Sequence, residues 1–170
     1  GGEVMKNVAG YDLSRLSVGA FGTLGILTEI SVKVLPIPEK EQTQVLECTQ
    51  ADALDTLSQL GRRPYPISAA SWTDGFLYIR LSGAASGVES AGSAIGGETL
   101  KEAEQFWFGL RDLTASEFHS SDYWPWRVSV APTTPANVLD SFRFDWAGGQ
   151  RWIRAPRNDF SPFEWAARLG

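Results

Sequence analysis

The chain has 170 residues, of which 43% are hydrophobic, and a net charge of −5, which fits one globular domain or one domain with part of another. Its acidic balance argues against a nucleic-acid partner, and no apolar run is long enough to span a membrane. The single cysteine, Cys48, and the single histidine, His119, exclude an intramolecular disulfide and most metal or Ser-His-Asp sites, so we expect no metal.

The first part of the chain predicts short elements. Residues 4–9 alternate loosely and predict a short strand, and residues 11–16 predict a turn or a single helical turn. Residues 26–34 give the clearest strand signal, because apolar and threonine side chains recur at every second position until Pro36 ends the run. The proline-rich, charged residues 35–42 form the best candidate linker.

Beyond the linker, predicted strands and helices alternate. Runs of strand-forming residues predict strands at 43–49, 67–73, 76–83 and 126–130, with 142–148 and 150–156 as a hairpin. Apolar spacing and end signals predict helices at 50–61, 84–97, 99–113, 133–142 and 161–170. This order indicates an α+β domain, in which an antiparallel sheet carries helices on one face in a ferredoxin-like layout.

The predicted helix at residues 99–113 is unusually aromatic. One of its faces carries four residues at helical spacing: Phe106, Gly109, Leu110 and Leu113. Trp107 and Phe108 lie off that face, so at least one of the adjacent aromatic side chains should point outward or pack against a second element. Six of the seven tryptophans follow residue 100. Core filling explains most of them, and an exposed subset would mark a subunit interface.

Three glycines, Gly19, Gly22 and Gly25, stand three residues apart directly before the predicted strand at 26–34. Glycine inside a chain costs roughly 0.5–1 kcal/mol relative to alanine, so the spacing suggests a backbone that bends sharply or lies against something. Such a loop offers amide donors with no Cβ in the way, which suits an anion or the edge of a ring. The pattern is not the dinucleotide fingerprint, because no strand precedes it and no helix follows. A structural turn and a ligand cradle both remain open.

The longer block GGEVMKNVAGYDLSRLSVGAFGTLGILTEISVKVLP resembles the end of the FAD-binding domain in flavoproteins of the vanillyl-alcohol oxidase, or p-cresol methylhydroxylase (PCMH), type. That family reads K-N-x-x-G-Y-D-L, a spacer, and then G-x-x-G-T-L-G-I-x-T-E. The matching residues are Lys6, Asn7, Gly10, Tyr11, Asp12, Leu13, Gly19, Gly22, Thr23, Leu24, Gly25, Ile26, Thr28 and Glu29. Ala20 and Phe21 replace the Ser-Glu of many lactate- and glycolate-oxidising members, and this variant looks most like the FAD-binding subunits of bacterial glycolate oxidases.

The resemblance implies a domain division and a cofactor. Residues 1–36 would be the C-terminal end of a PCMH-type FAD-binding domain, and residues 37–170 an α+β cap or substrate domain truncated at its C-terminus. The implied FAD-binding residues are Lys6, Asn7, Gly10, Tyr11, Asp12, Gly19, Gly22, Thr23, Gly25 and Ile26, with the main chain at Ile26 reaching the adenine end. The family's principal pyrophosphate loop lies in an N-terminal part that this chain lacks. We therefore expect FAD in the full-length protein and none in this piece alone.

The resemblance also implies an activity: an FAD-dependent 2-hydroxy acid oxidoreductase that oxidises glycolate to glyoxylate within a multi-subunit complex. The expected partners are a catalytic flavoprotein subunit, an iron–sulfur subunit and a small 2-hydroxy acid. The expected location is cytoplasmic, or peripheral at the inner membrane through partner subunits. The alternative is a non-catalytic interaction module that docks the two other subunits. No catalytic residue is identified in this chain, and the isolated piece is expected to be inactive.

Several other side chains have competing interpretations. Lys6, Asn7 and Asp12 fit a capped, solvated turn as well as cofactor contacts. Four arginines on the late predicted strands fit either a site for a substrate carboxylate or separate surface salt bridges: Arg127, Arg143, Arg151 and Arg154. Cys48 is expected in the core, because buried cysteine behaves as a small hydrophobic residue. His119 is expected on the surface.

Overall fold

The computed structural model describes residues 10–156 and 161–169. The chain divides into two compact units, Gly1–Ile37 and Pro38–Gly170, and each is described by itself. The strand predicted at residues 4–9, together with the candidate site residues Lys6 and Asn7, lies outside the described residues.

The described part of the first unit contains one short helix, α1 (Leu13–Ser17). Asp12 caps this helix, because its carboxylate accepts the backbone N–H of Arg15 at 3.2 Å. The same carboxylate pairs with the Arg15 guanidinium at 3.3 Å. The Ser17 hydroxyl donates to the Leu13 carbonyl at 2.8 Å. The prediction of a single helical turn here is confirmed.

The prediction of a strand at residues 26–34 is wrong for the described structure, because these residues belong to no strand. An extended segment becomes a strand only when a neighbouring strand pairs with its backbone N–H and C=O groups. None of the described residues pairs with this segment, and Ile26 is 93% exposed. The alternating pattern is therefore present without the partner that would turn it into a sheet.

The described part of the second unit contains seven strands and four helices. The strands are β1 (Lys40–Glu47), β2 (Ile67–Thr73), β3 (Phe76–Gly83), β4 (Glu98–Thr99), β5 (Tyr123–Ser129), β6 (Ser141–Asp145) and β7 (Gln150–Pro156). The helices are α2 (Gln50–Leu60), α3 (Ala85–Ile95), α4 (Ala103–Arg111) and α5 (Pro162–Leu169). The helices and strands predicted beyond the linker form, with three differences. The helix at 133–142 shortens to a 3-10 turn, Ala136–Val138. Strand β1 begins at Lys40, inside the predicted linker, and the end of the strand predicted at 142–148 is a 3-10 turn, Trp146–Gly148. The short strand β4 was not predicted.

Local sequence explains where two of these helices begin. The Thr49 hydroxyl accepts the backbone N–H of Asp52 at 3.2 Å and so caps α2, which ends at Gly61. At α5 the backbone N–H of Glu164 donates to the Ser161 hydroxyl at 3.4 Å, and proline occupies the first helical position. None of the helices in the described ranges is both long and apolar enough to cross a membrane.

All strands belong to one sheet in the order β4-β1-β3-β2-β6-β7-β5, and every neighbouring pair is antiparallel. From β1 to β4 the chain follows a β-α-β-β-α-β path, with α2 and α3 as the connecting helices. This path and strand order are compatible with the predicted ferredoxin-like layout. The remaining strands β6, β7 and β5 extend the sheet beyond β2. The α+β class and the antiparallel sheet are thereby confirmed.

One face of the sheet carries the main core. Leu77, Ile79 and Leu81 of β3 are fully buried, and they cluster with small and aliphatic side chains of α2 and α3: Ala53, Leu57, Val88 and Ala91. Alternate residues of a strand share a face, so the spacing of two in β3 builds this layer. Burial of each of the three β3 side chains contributes about 1.5–3 kcal/mol relative to exposure. This layer positions α2 and α3 on one side of the sheet.

Helix α4 lies on the opposite face, which corrects the prediction of helices on one face only. Tyr78 lies between Leu77 and Ile79 in β3, so its side chain is on the other face of the sheet from theirs. It stacks on Phe106 of α4, with ring centroids 4.2 Å apart. The indole N–H of Trp107 donates to the Thr43 hydroxyl at 2.9 Å. Phe108 is 46% exposed, which confirms that one aromatic side chain of this helix points outward. Hydrophobic spacing locates a helix but does not say which face of a sheet it will cover.

Two hairpin turns place residues in the left-handed region of backbone conformation. Asp74 and Gly75 join β2 to β3 with φ of 49° and 84°, as expected for a tight Asp-Gly turn. Between β6 and β7, Trp146 and Ala147 both have φ of 52°, followed by Gly148 at 89°. Non-glycine residues held in this region cost about 1–3 kcal/mol each.

Candidate functional site

The glycine-rich loop of the first unit has a backbone that glycine favours. Gly19 and Gly22 have φ of 77° and Gly25 has φ of 153°, while Phe21 between them is at 50°. A Cβ added at any of the three glycines would meet no atom within 4 Å. Glycine is therefore favoured at these positions by the positive φ and not by close packing, because the space beside each of the three residues is open in the described structure.

The loop makes few hydrogen bonds of its own. The backbone N–H and the hydroxyl of Thr23 both donate to the Ala20 carbonyl, at 2.9 and 2.7 Å. The next three amides, those of Leu24, Gly25 and Ile26, donate to no acceptor among the described residues. Backbone donors without partners are the groups that a ligand, or another chain segment, can satisfy. The loop thus contains a turn closed at Thr23, followed by three backbone amides that have no acceptor among the described residues.

A concave space of about 550 Å³ is formed by residues of this loop. It is lined by small and aliphatic residues: Ser17, Ala20, Gly22, Leu24, Gly25, Ile26 and Leu27. Such a surface fits a flat aromatic ring with acceptor atoms on its edge, because the amides can bond the edge and the aliphatic side chains can cover the face. The FAD adenine has this chemistry, so the residues present fit that part of the cofactor. The lining contains no cationic side chain for the phosphates.

The structure brings together only some of the predicted site residues. Gly22, Gly25 and Ile26 line the concave space. The other described candidates do not line it: Gly10, Tyr11, Asp12, Gly19 and Thr23. Asp12 is used by the cap and ion pair at α1, which favours the capped-turn interpretation for that residue. Lys6 and Asn7 lie outside the described residues.

The second unit has a larger concavity, of about 760 Å³, beside α4. Tyr78, Phe106 and Arg143 line it together with Glu117, which precedes β5. The Arg143 side chain is only 1% exposed and forms an ion pair with Glu117. It also donates a hydrogen bond to the Ser71 hydroxyl, and it lies 3.9 Å from the Asp145 carboxylate. Burial is the main cause that raises the pKa of Tyr78.

This arginine–glutamate pair was not predicted from the sequence. Glu117 and Arg143 are separated by 26 positions, and no local sequence pattern connects them. The neighbouring apolar residues of β6 were the available signal, since a charged residue at an inward position of a central strand needs a partner.

The four candidate arginines do not form one carboxylate site. In the strand register, Arg143 lies opposite Trp152 and Arg151 opposite Phe144. Because 151 and 152 are adjacent in β7, these two arginines point to opposite faces of the sheet. Arg127 and Arg154 are exposed, and Arg154 lies over the Phe142 ring at 4.4 Å. Two of the four therefore lie on the surface, but neither forms the predicted salt bridge with a described residue, and the other two are buried.

Arg151 is fully buried without a carboxylate partner among the described residues. Its Nε donates to the Gly148 carbonyl at 3.0 Å, and its Nη2 donates to the Thr134 carbonyl. Its Nη1 has no hydrogen-bond partner. Burial lowers the pKa of this guanidinium, because a charge without a counter-charge is costly inside a protein.

The two remaining singled-out residues behave as expected. Cys48 packs partly buried against the main core cluster, and burial is the first cause that raises the pKa of its thiol. His119 is exposed.

Comparison with known proteins shows that the chain is similar to a glycolate oxidase subunit. Glycolate oxidase subunit GlcE of Escherichia coli (strain K12) is 42% identical over 160 residues, which are 94% of this chain and 45% of that protein. The resemblance to the FAD-binding subunits of bacterial glycolate oxidases is confirmed. The chain spans about half the length of GlcE.

Shorter stretches match other oxidoreductases. Glycolate oxidase subunit GlcD of Bacillus subtilis (strain 168) is 53% identical over 53 residues, 31% of this chain and 11% of that protein. The mitochondrial D-lactate dehydrogenase [cytochrome] of Arabidopsis thaliana is 45% identical over 51 residues, 29% of this chain and 9% of that protein. No family model matches the chain, and no solved structure does.

Proposed function

We propose that this chain is part of a GlcE-like subunit of an FAD-dependent 2-hydroxy acid oxidoreductase that converts glycolate to glyoxylate within a multi-subunit complex. The observation that carries the proposal is the 42% identity to GlcE along 94% of the chain. The short matches to GlcD and to D-lactate dehydrogenases support the same class of 2-hydroxy acid chemistry.

The first unit would be the C-terminal end of a PCMH-type FAD-binding domain, and the second unit the cap. A division of the chain between Ile37 and Pro38 supports this assignment. The backbone amides of Leu24, Gly25 and Ile26 would bond the adenine edge, and the aliphatic side chains of the loop would cover its face. When bound, FAD supplies the two-electron acceptor for the oxidation. The chain's own contribution is to bind and orient the adenine end and to exclude water from it.

The remaining candidates would act through two turns. Gly19 and Gly22 would allow the left-handed backbone of the glycine-rich loop, which Thr23 would close, and Gly10 would allow that of the Gly-Tyr-Asp turn before α1. Lys6, Asn7, Tyr11 and Asp12 stay as proposed cofactor contacts, with a capping role as the simpler account of Asp12. The isolated chain would bind no FAD and would be inactive, because the family's main pyrophosphate loop is not in it.

The proposed partners are a catalytic flavoprotein subunit similar to GlcD and an iron–sulfur subunit, with a cytoplasmic location or a peripheral one at the inner membrane through those subunits. The second candidate function is a non-catalytic module that docks these subunits. Exposed aromatic side chains favour keeping it: Phe108, Tyr123, Trp124 and Trp146.

The proposal is tested by co-expressing the full-length protein with the GlcD-like and iron–sulfur subunits and measuring glycolate-dependent reduction of an artificial electron acceptor. We expect activity to require all three chains, and glycolate to be used in preference to a hydroxyl-free acid of the same size. Full activity from the other two subunits alone would contradict a role for this protein in the enzyme. Flavin in the full-length protein purified alone would separate the enzyme interpretation from the docking module.

A further inference from the structure

Residues 26–34 combine an apolar face with a polar one, and the described structure covers neither. One set of alternate positions is apolar and between 68% and 93% exposed: Ile26, Ile30, Val32 and Val34. The intervening positions from 29 to 33 carry polar side chains, which are also exposed: Glu29, Ser31 and Lys33. Alternate side chains of an extended segment point to opposite faces. The segment therefore has the pattern of a strand with one buried face and one solvated face.

The backbone of this segment is open as well. No N–H or C=O group of residues 26–34 forms a hydrogen bond with a described residue. Covering the apolar face would remove the neighbouring backbone from water, and buried backbone groups are nearly always paired. Whatever covers the segment therefore has to supply hydrogen bonds along its length. A neighbouring strand does this, whereas a helix or a pocket of side chains does not.

The first unit lacks a core that could hold this segment on its own. None of its described residues is buried, and more than half of the exposed large hydrophobic side chains in the described structure belong to residues 10–37. A unit of this size, Gly1–Ile37, is below the roughly 40 residues that a chain without disulfides or metals needs to fold stably. Its apolar side chains are therefore those of a domain interior, which forms only together with more chain.

The cover fits the same polypeptide better than a separate subunit. Interfaces between subunits that fold separately are only about as apolar as the rest of the protein surface. The second unit has its own core, and the edges of its sheet are the two-residue strand β4 and the strand β5, which contains Pro125. Proline on an edge discourages further pairing. By contrast, the aligned 160 residues are 45% of GlcE, so a GlcE-like protein has more than half of its length outside the aligned region.

We propose that residues 26–34 form a strand of a sheet in the full-length protein, paired with a strand from the part of that chain outside these 170 residues. This rests on the proposed function, in which the first unit is the end of a longer FAD-binding domain. In the paired strand Ile30 and Val32 are buried, and Ser31 faces solvent. The pairing also fixes the end of the glycine-rich loop, because Ile26 carries one of its three free amides and is the first residue of the strand. The strand thereby positions those amides for the adenine edge.

Amide hydrogen exchange, read by mass spectrometry on peptides that cover residues 26–34, tests the pairing. The full-length protein purified alone is compared with the 170-residue chain. A strand paired on one side protects every second amide, so we expect at least half of these amides to exchange about 100-fold more slowly in the full-length protein. Peptides from β3 are the internal control, because β3 is central in the sheet of the second unit, and they should exchange equally in both proteins.

Two full-length variants test which face is buried. Ile30→Asp places a carboxylate on the apolar face, and Ser31→Asp, the matched control, places the same charge on the polar face one position away. We expect exchange of residues 26–34 to become about tenfold faster in Ile30→Asp, because a carboxylate is costly to bury. In Ser31→Asp it should change less than about twofold, as for other surface positions. Ile30→Thr, which keeps the β-branched shape, replaces Ile30→Asp if that variant does not fold, and the same direction is expected.

Three results would overturn the inference. Equal protection in the 170-residue chain would mean that the segment is covered within these residues. Protection that appears only after a GlcD-like subunit is added, or only at high protein concentration, would assign the cover to another chain. Equal effects of the two aspartate variants would mean that neither face is buried. Flavin content is measured in the same samples: a protected segment without FAD leaves this inference standing and contradicts the proposed cofactor, and bound FAD with an unprotected segment does the reverse.

Discussion

Gly25 has a φ of 153° in a loop where an added Cβ would have open space. The cost of any other residue is therefore conformational in this chain, and a bound adenine would add a steric cost. We predict that Gly25→Val in the full-length protein removes FAD affinity while the second unit stays folded. Gly87→Val is the matched control, because Gly87 is an exposed helical glycine whose Cβ would also meet no atom within 4 Å. Unchanged flavin content in Gly25→Val would leave only a structural turn.

The Arg143 side chain is 1% exposed, and both it and its ion-pair partner Glu117 line a concavity. Removing the Glu117 charge leaves this buried guanidinium with Asp145, at 3.9 Å, as its remaining described carboxylate. We predict that Glu117→Gln lowers the free energy of unfolding of the 170-residue chain by about 1–3 kcal/mol in urea denaturation. The double variant Arg143→Met with Glu117→Leu should recover most of that loss. Equal losses in the single and double variants would mean that the pair's charges are not what matters at this position.

The sequence predicted helix α4 but not which of its aromatic side chains would be exposed. The aromatic run of this helix predicted that at least one adjacent side chain points outward or packs against a second element, and Phe108 is 46% exposed. Trp107, a candidate for the same outward position, is instead half-buried against the sheet, with its indole bonded to Thr43 and Arg80 over its ring at 5.3 Å. The helical period fixes which residues share a face, but only the assembled sheet decides which face is covered.

Trp107 and Phe108 therefore should differ in their effect on stability. We predict that Trp107→Ala lowers the free energy of unfolding by roughly 2–4 kcal/mol, because it loses packing and leaves Thr43 without its donor. Phe108→Ala should stay within about 0.5 kcal/mol of the wild type, as expected for a surface position. Urea denaturation of the 170-residue chain measures both. Similar losses for the two variants would show that α4 packs differently from the arrangement described.

Elements with local signals were predictable from the sequence, and those that depend on distant partners were not. Thr49, Gly61 and the Asp74-Gly75 turn mark α2 and the first hairpin within a few residues of chain. Residues 26–34 have the alternating apolar pattern of a strand, but no strand among the described residues pairs with them. The glycine loop was recognisable as a candidate site, whereas the Arg143–Glu117 pair depends on residues brought together by tertiary structure.

The whole molecule combines a short first unit, whose glycine-rich loop has free backbone amides, with an α+β unit that packs its own core. The similarity to GlcE covers 45% of that relative, so the central claim concerns a longer protein in which the first unit helps to bind FAD. The two units thus carry different parts of the proposal: cofactor contact in the first, and the cap in the second.

The measurement that tests this claim most directly is the FAD content of the purified full-length protein, compared with that of the 170-residue chain. Both are incubated with FAD, passed through gel filtration and denatured, and the released flavin is quantified against protein concentration. The account predicts about one FAD per full-length protein and none in the 170-residue chain. Full-length protein that is folded yet retains no FAD, or a 170-residue chain that retains it stoichiometrically, would contradict the account.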